Sequence, residues 1–111
     1  MISKLHHFDQ QALLTYDCDA QDLLLLEWLD DGMTTSRLPE AQIGADSYYL
    51  VSPYTIEDDL PLLHLQPRTI QQRLSNLVNK GILSRILVGK GKQNDSYYGK
   101  GEHWAEVKPE S

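Results

Sequence analysis

Between Pro67 and Lys80 the apolar side chains Ile70, Leu74, Leu77 and Val78 fall at i, i+4, i+7 and i+8. That spacing predicts a helix over Gln66–Lys80 with one apolar stripe to bury. Pro67 suits the first turn of such a helix, and Gly81 is a natural left-handed stop. Two β-prone runs follow, one from Ile82 and one from Ser96, separated by the turn-rich basic stretch Gly89–Asp95. A helix with a single buried stripe, a glycine stop and a hairpin with a basic tip constrain the fold strongly. The stripe must pack on something, so the preceding residues have to supply most of the core.

With 111 residues the chain is expected to be one domain, 1–111. Asp9–Tyr16 reads as a short helix with Ala12, Leu13 and Leu14 inward. Asp19 is a plausible N-cap for a helix running from Ala20 to Asp31 and ending at Gly32. Its apolar residues, Leu23 to Leu26, Trp28 and Leu29, cover more than one stripe. The favoured reading is a central core helix; the alternative is a homodimer contact on one side. Thr34–Ile43 reads as loop, and Ser47–Val51 as a strand. Ser52-Pro53 starts a helix carrying Ile56, Leu60 and Leu63, which Pro61 ends or kinks. Residues 1–8 and 107–111 are expected to be loose. The fold class expected is α+β, mostly α, with three or four helices and a small antiparallel sheet that includes the C-terminal hairpin.

The net charge of −6 would by itself disfavour nucleic acid, but its distribution is uneven. Residues 1–63 carry 2 basic and 12 acidic side chains, a balance of −10; residues 64–111 carry 8 and 4, a balance of +4. A basic C-terminal half can present a positive face to phosphate.

The helix face opposite the stripe holds Arg68, Gln72, Ser75, Asn76 and Asn79, with Gln71 and Arg73 on its flanks, and no carboxylate lies between Pro67 and Lys80. Arg, Gln and Asn are the side chains that pair bidentately with guanine and adenine edges. Thr69, in the first turn, suits a phosphate oxygen. Arg85, Lys90, Lys92 and Lys100 surround the Gly-rich hairpin tip. A polar helix followed directly by a basic hairpin is the layout of a winged helix-turn-helix, with Arg68–Asn79 as recognition helix and 85–100 as wing. The bland alternative is a solvated helix face and lysines that only discourage strand pairing. The expected DNA contacts are Arg68, Thr69, Gln71, Gln72, Arg73, Asn76, Lys90 and Lys92, and the expected partner is double-stranded DNA.

The pieces Asp22–Trp28, Tyr48–Ser52, Glu57–Leu63, Arg68–Leu74, Leu77–Leu83 and Ser96–Trp104 occur in an order that covers most of the chain. In that order the segment Asp19–Trp104 resembles the N-terminal winged-helix domain of replication-initiation, or replisome-organiser, proteins of Gram-positive phages and related mobile elements. The resemblance implies a helical core with a small sheet, DNA binding through Arg68–Asn79, and self-association. Such proteins usually continue into a helicase-loader or assembly domain, whereas this sequence stops at Ser111. Gln71, Gln72 and Arg73 stand where relatives often carry two or three basic residues, which implies weaker phosphate contact.

Other chemistries find little support. His6, His7, His64, His103 and Cys18 lack the spacing of a metal site. Gly89–Lys92 lacks the spacing and setting of a phosphate loop. Asp17 and Asp19 would raise rather than lower the Cys18 pKa, so a nucleophilic thiol is not expected. Neither an enzyme, a cofactor nor a metal is expected. One cysteine, no apolar span and no apolar stretch behind Lys4 point to a cytoplasmic protein without a membrane partner. Replication initiation or transcription control on DNA is the first functional reading. The alternative is an adaptor or inhibitor that binds a host protein through its acidic half, around Asp58 and Asp59.

Overall fold

The computed structural model describes residues 4–5, 7–90 and 93–109, and the side chains of 7–89 and 95–109. Among these residues the chain is α+β. It begins with two very short paired strands, β1 (Lys4–Leu5) and β2 (Phe8–Asp9), and then α1 (Gln10–Thr15) and α2 (Ala20–Thr34). The hairpin β3 (Glu40–Ile43) and β4 (Asp46–Leu50) leads to α3 (Pro53–Asp59) and a 3-10 turn at Pro61–Leu63. Next come α4 (Pro67–Asn79), the hairpin β5 (Leu83–Lys90) and β6 (Gln93–Lys100), and α5 (Trp104–Val107). The main sheet is antiparallel in the order β3-β4-β6-β5, so β4 joins the C-terminal hairpin through Tyr49 opposite Tyr98 and Leu50 opposite Tyr97.

α2 is the central helix. Asp19 caps it by accepting from the Asp22 backbone N–H, and the Asp22 carboxylate accepts from the Asp19 N–H in return. This reciprocal pair satisfies two of the donors a helix start leaves open. Leu25, Leu26, Trp28, Leu29 and Met33 are buried, and Leu23 and Leu24 pack partly on the same core, which favours the core reading over an apolar dimer face. The helix does not stop at Gly32. It runs on to Thr34, and Ser36 takes the left-handed conformation (φ 57°) after it. Gly32 is buried inside the helix, where it leaves room for Leu38: a Cβ there would lie 2.7 Å from Leu38 Cδ1.

α4 meets the expectation closely. Ile70, Leu74 and Leu77 are fully buried. Each such side chain contributes about 1.5–3 kcal/mol by leaving water. Gly81 (φ +76°) ends the helix by donating to the Val78 carbonyl, while the Ile82 N–H reaches the Leu77 carbonyl. This is the Schellman arrangement, and it needs the left-handed residue that glycine supplies.

Three other expectations are corrected. Residues expected to be a loop contain β3, held to β4 from Glu40–Tyr49 to Ile43–Asp46 around Gly44 (φ +64°). Leu14 is 59% exposed rather than inward; the six-residue α1 is too short to bury both it and Leu13. Of the stretches expected to be loose, Phe8 and Val107 belong to the core: both are fully buried, and Phe8 packs edge-on against Trp104 at 5.8 Å. The Tyr16 hydroxyl donates to Glu106 at 2.8 Å, tying α1 to α5.

Candidate nucleic-acid interface

α4 follows α3 and the 3-10 turn, and its stripe pins it to the core, so its other face turns outward. Arg68, Thr69, Gln72, Asn76 and Asn79 are exposed there, and Ser75 is half-buried. The Gln72 side-chain amide donates to Asn76 Oδ1 at 3.3 Å, one turn on. The helix has no side-chain N-cap, so its first backbone N–H groups, at Arg68 and Thr69, are available to an acceptor.

Two of the expected DNA contacts have partners inside the fold. Arg73 is 23% exposed and pairs with Asp19 at 3.0 Å and Asp22 at 3.1 Å. Its other guanidinium nitrogen meets Gln21 Oε1. It therefore fastens α4 to the start of α2. The Asp22 side chain is only 8% exposed, so this acid requires a cationic partner. Gln71 donates to the hydroxyl of the fully buried Tyr98 at 2.8 Å, which joins α4 to β6. Both residues flank the buried stripe, and a flanking position meets whichever neighbour the fold supplies.

Asp19 shows the local electrostatics. Partial desolvation pushes its pKa up, but the Asp22 backbone N–H and the Arg73 guanidinium outweigh this and hold it below the usual value. Lys80, at the end of α4, donates to the Asp17 carbonyl at 2.9 Å.

In the hairpin, β5 and β6 pair from Leu83–Lys100 to Lys90–Gln93. Arg85 lies opposite Tyr98 and so leaves the sheet on the α4 side, where it is exposed. Sequence reasoning placed Arg85 near the wing but not among the contacts; the pairing register brings it to the same side as α4. Lys100 sits 5.9 Å from the Trp104 ring centre. Lys90 lies at the end of β5, and Lys92 lies outside the described residues.

Part of the charge asymmetry along the sequence is offset by ion pairs in the fold. Arg73 serves Asp19 and Asp22, and Lys108 pairs with Asp30 at 2.8 Å. Arg37 spans Asp31 and Asp59 while stacking 5.0 Å from the Trp28 ring centre, and the Trp28 indole donates to Asp59. Among the described residues, Asp19, Asp22, Asp30, Asp31 and Asp59 thus share three cations, two of which come from the basic half.

Among the described residues, no group of three or more His, Cys, Asp or Glu side chains is arranged to hold a metal ion. No described helix is long and apolar enough to cross a membrane. The chain matches no protein-family model, and no curated protein or solved structure shows significant similarity to it.

Proposed function

We propose that this chain is a winged helix-turn-helix DNA-binding domain, with α4 in the major groove and the β5–β6 hairpin as its wing. The observation that carries the reading is the outer face of α4. Arg68, Gln72, Asn76 and Asn79 are exposed along it, no carboxylate interrupts it, and Arg85 leaves the adjoining hairpin on the same side. The strand order β4-β6-β5, with α3 and α4 between β4 and β5, supports the same reading. Arg68, Gln72 and Asn76 read base edges; Thr69, the helix N-terminus, Arg85 and the wing lysines hold phosphate. The resemblance to replisome-organiser proteins supports a role in replication initiation or transcription control of a mobile element. The pairing of Arg37 with Asp59 occupies one of the two acids on which the competing reading of an acidic protein-binding face centres, while Asp58 stays exposed.

The test is fluorescence-anisotropy titration of a random-sequence duplex at low and physiological salt. The reading expects micromolar-range binding that falls steeply as salt rises. It also expects the double variant Arg68→Ala/Gln72→Ala to lose a few kcal/mol on a specific site. No binding at low salt, or full affinity in the double variant, would overturn it.

A further inference from the structure

The two faces of the C-terminal hairpin differ in charge. Residues directly opposite one another in an antiparallel pair share a face, and so do alternate residues along each strand. Tyr98 is fully buried and its hydroxyl accepts from the Gln71 amide, so its face is the α4 side. From the core outward, β5 places Leu83, Arg85, Leu87 and Gly89 on that side. Leu83 is buried, Arg85 is exposed, Leu87 is 61% exposed and Gly89 has no side chain. Leu87 is not among the residues packed on the core. Asp95 is the only carboxylate in the two strands, and it lies opposite Val88, on the other side. Neither the outer face of α4 nor the α4 side of the hairpin therefore carries a carboxylate. A single exposed leucine says nothing by itself; this one stands beside Arg85 on a surface whose charge suits a polyanion.

We infer that Leu87 enters the minor groove beside the major groove that α4 occupies, and makes the hairpin selective for A·T pairs there. The inference rests on the DNA-binding reading above and adds to it a residue that discriminates sequence. Leucine gains nothing from a phosphate, so its place is against sugars and base edges. The order along β5 provides that place. α4 meets the hairpin at the level of Tyr98 and Arg85. Leu87 lies two residues further out, about 7 Å along the strand. A surface passing from a major groove to the next minor groove crosses one phosphate ridge; Arg85 falls on that ridge and Leu87 beyond it. Gly89 keeps the strand slim at the following level, which a groove about 6 Å wide requires. Apolar side chains are a recurrent minor-groove device. In that groove an A·T pair shows acceptors alone, whereas a G·C pair adds the guanine N2 amino donor. The amino group stands up from the groove floor. Leucine over a G·C pair would collide with it and strip its water, leaving a donor without an acceptor.

The probes are short duplexes of alternating dA·dT, dG·dC and dI·dC, titrated with the full chain by fluorescence anisotropy at low salt. An inosine–cytosine pair keeps the major-groove edge of G·C but lacks the minor-groove amino group. Comparing dI·dC with dG·dC therefore isolates the minor groove from whatever α4 reads. The inference expects the parent to bind dI·dC at least about fivefold more tightly than dG·dC. Leu87→Ser should abolish that ratio, and Leu87→Met, which keeps an apolar side chain, should retain it. Arg85→Ala should weaken binding to both duplexes alike and leave the ratio in place. Leu87 is largely exposed, so these variants should fold as the parent does. Equal parent affinity for dI·dC and dG·dC, or an unchanged ratio in Leu87→Ser, would overturn the inference and leave the DNA-binding reading standing. Absence of binding to all three duplexes at low salt would overturn both.

Discussion

Arg73 Nη1 lies 3.1 Å from Asp22 Oδ1, joining the middle of α4 to the first turn of α2. Asp22 is at once the reciprocal partner in the α2 cap and the least exposed acid in this group, so the contact serves the cap and the helix pairing together. Arg73 is a structural residue on a helix whose other arginine, Arg68, faces solvent.

The two arginines should separate cleanly. Arg73→Ala is expected to cost about 1–3 kcal/mol, because it leaves Asp22 without its charged hydrogen-bond partner. Arg68→Ala should stay within about 0.5 kcal/mol of the parent, as surface changes usually do. Urea denaturation of both variants measures this, and equal losses would contradict the assignment.

Asp19 predicts a feature of the acid limb. Its native pKa is lowered, so its contribution to stability is present above its unfolded value and fades as pH falls through the native one. Asp19→Asn keeps a capping side chain but loses the charge facing Arg73. The gap in stability between parent and variant should be full at neutral pH and shrink below about pH 4. Denaturant titrations at stepped pH report it; a gap that widens on acidification would show the sign to be wrong.

Gly32→Ala tests the close approach of Leu38. Alanine gains about 1 kcal/mol in helix propensity. The new Cβ would meet Leu38 Cδ1 at 2.7 Å and Cγ at 2.8 Å, and overpacking of this kind costs about 1–3 kcal/mol. The expected outcome is a net loss and a lower Tm. A rise in Tm would mean Leu38 moves aside freely.

Cys18 should be a slow thiol. Burial, with Asp22, Asp19 and Asp17 nearby, outweighs the opposing Lys80 and pushes its pKa up to about 11. Little thiolate exists at pH 8, so an aromatic disulfide reagent should label the native protein slowly and the urea-unfolded chain at once. Rapid native labelling would show that α1 opens readily.

What the sequence made legible follows from local rules. The α4 stripe, the Gly81 stop and the Asp19 cap depend on residues within one or two turns of each other, and the structure has all three. The exposed positions of Arg68, Gln72 and Asn76 follow from the same periodicity. Gly32 misled because glycine serves both as a helix stop and as a gap for a neighbour, and Leu38 decides which. β3 was hidden because its strand identity comes from pairing with β4.

The residues by themselves determined which helix face is apolar, where that helix ends and that a hairpin follows it. Tertiary structure alone decided the fate of the flanking residues: Arg73 is drawn to Asp22, Gln71 to Tyr98, and Lys108 to Asp30. It also set the Arg85 side of the hairpin. The physical reason is range. Helical and strand periodicities are properties of a few consecutive residues, whereas an ion pair between residues 22 and 73 exists only once the core has brought two distant helices together.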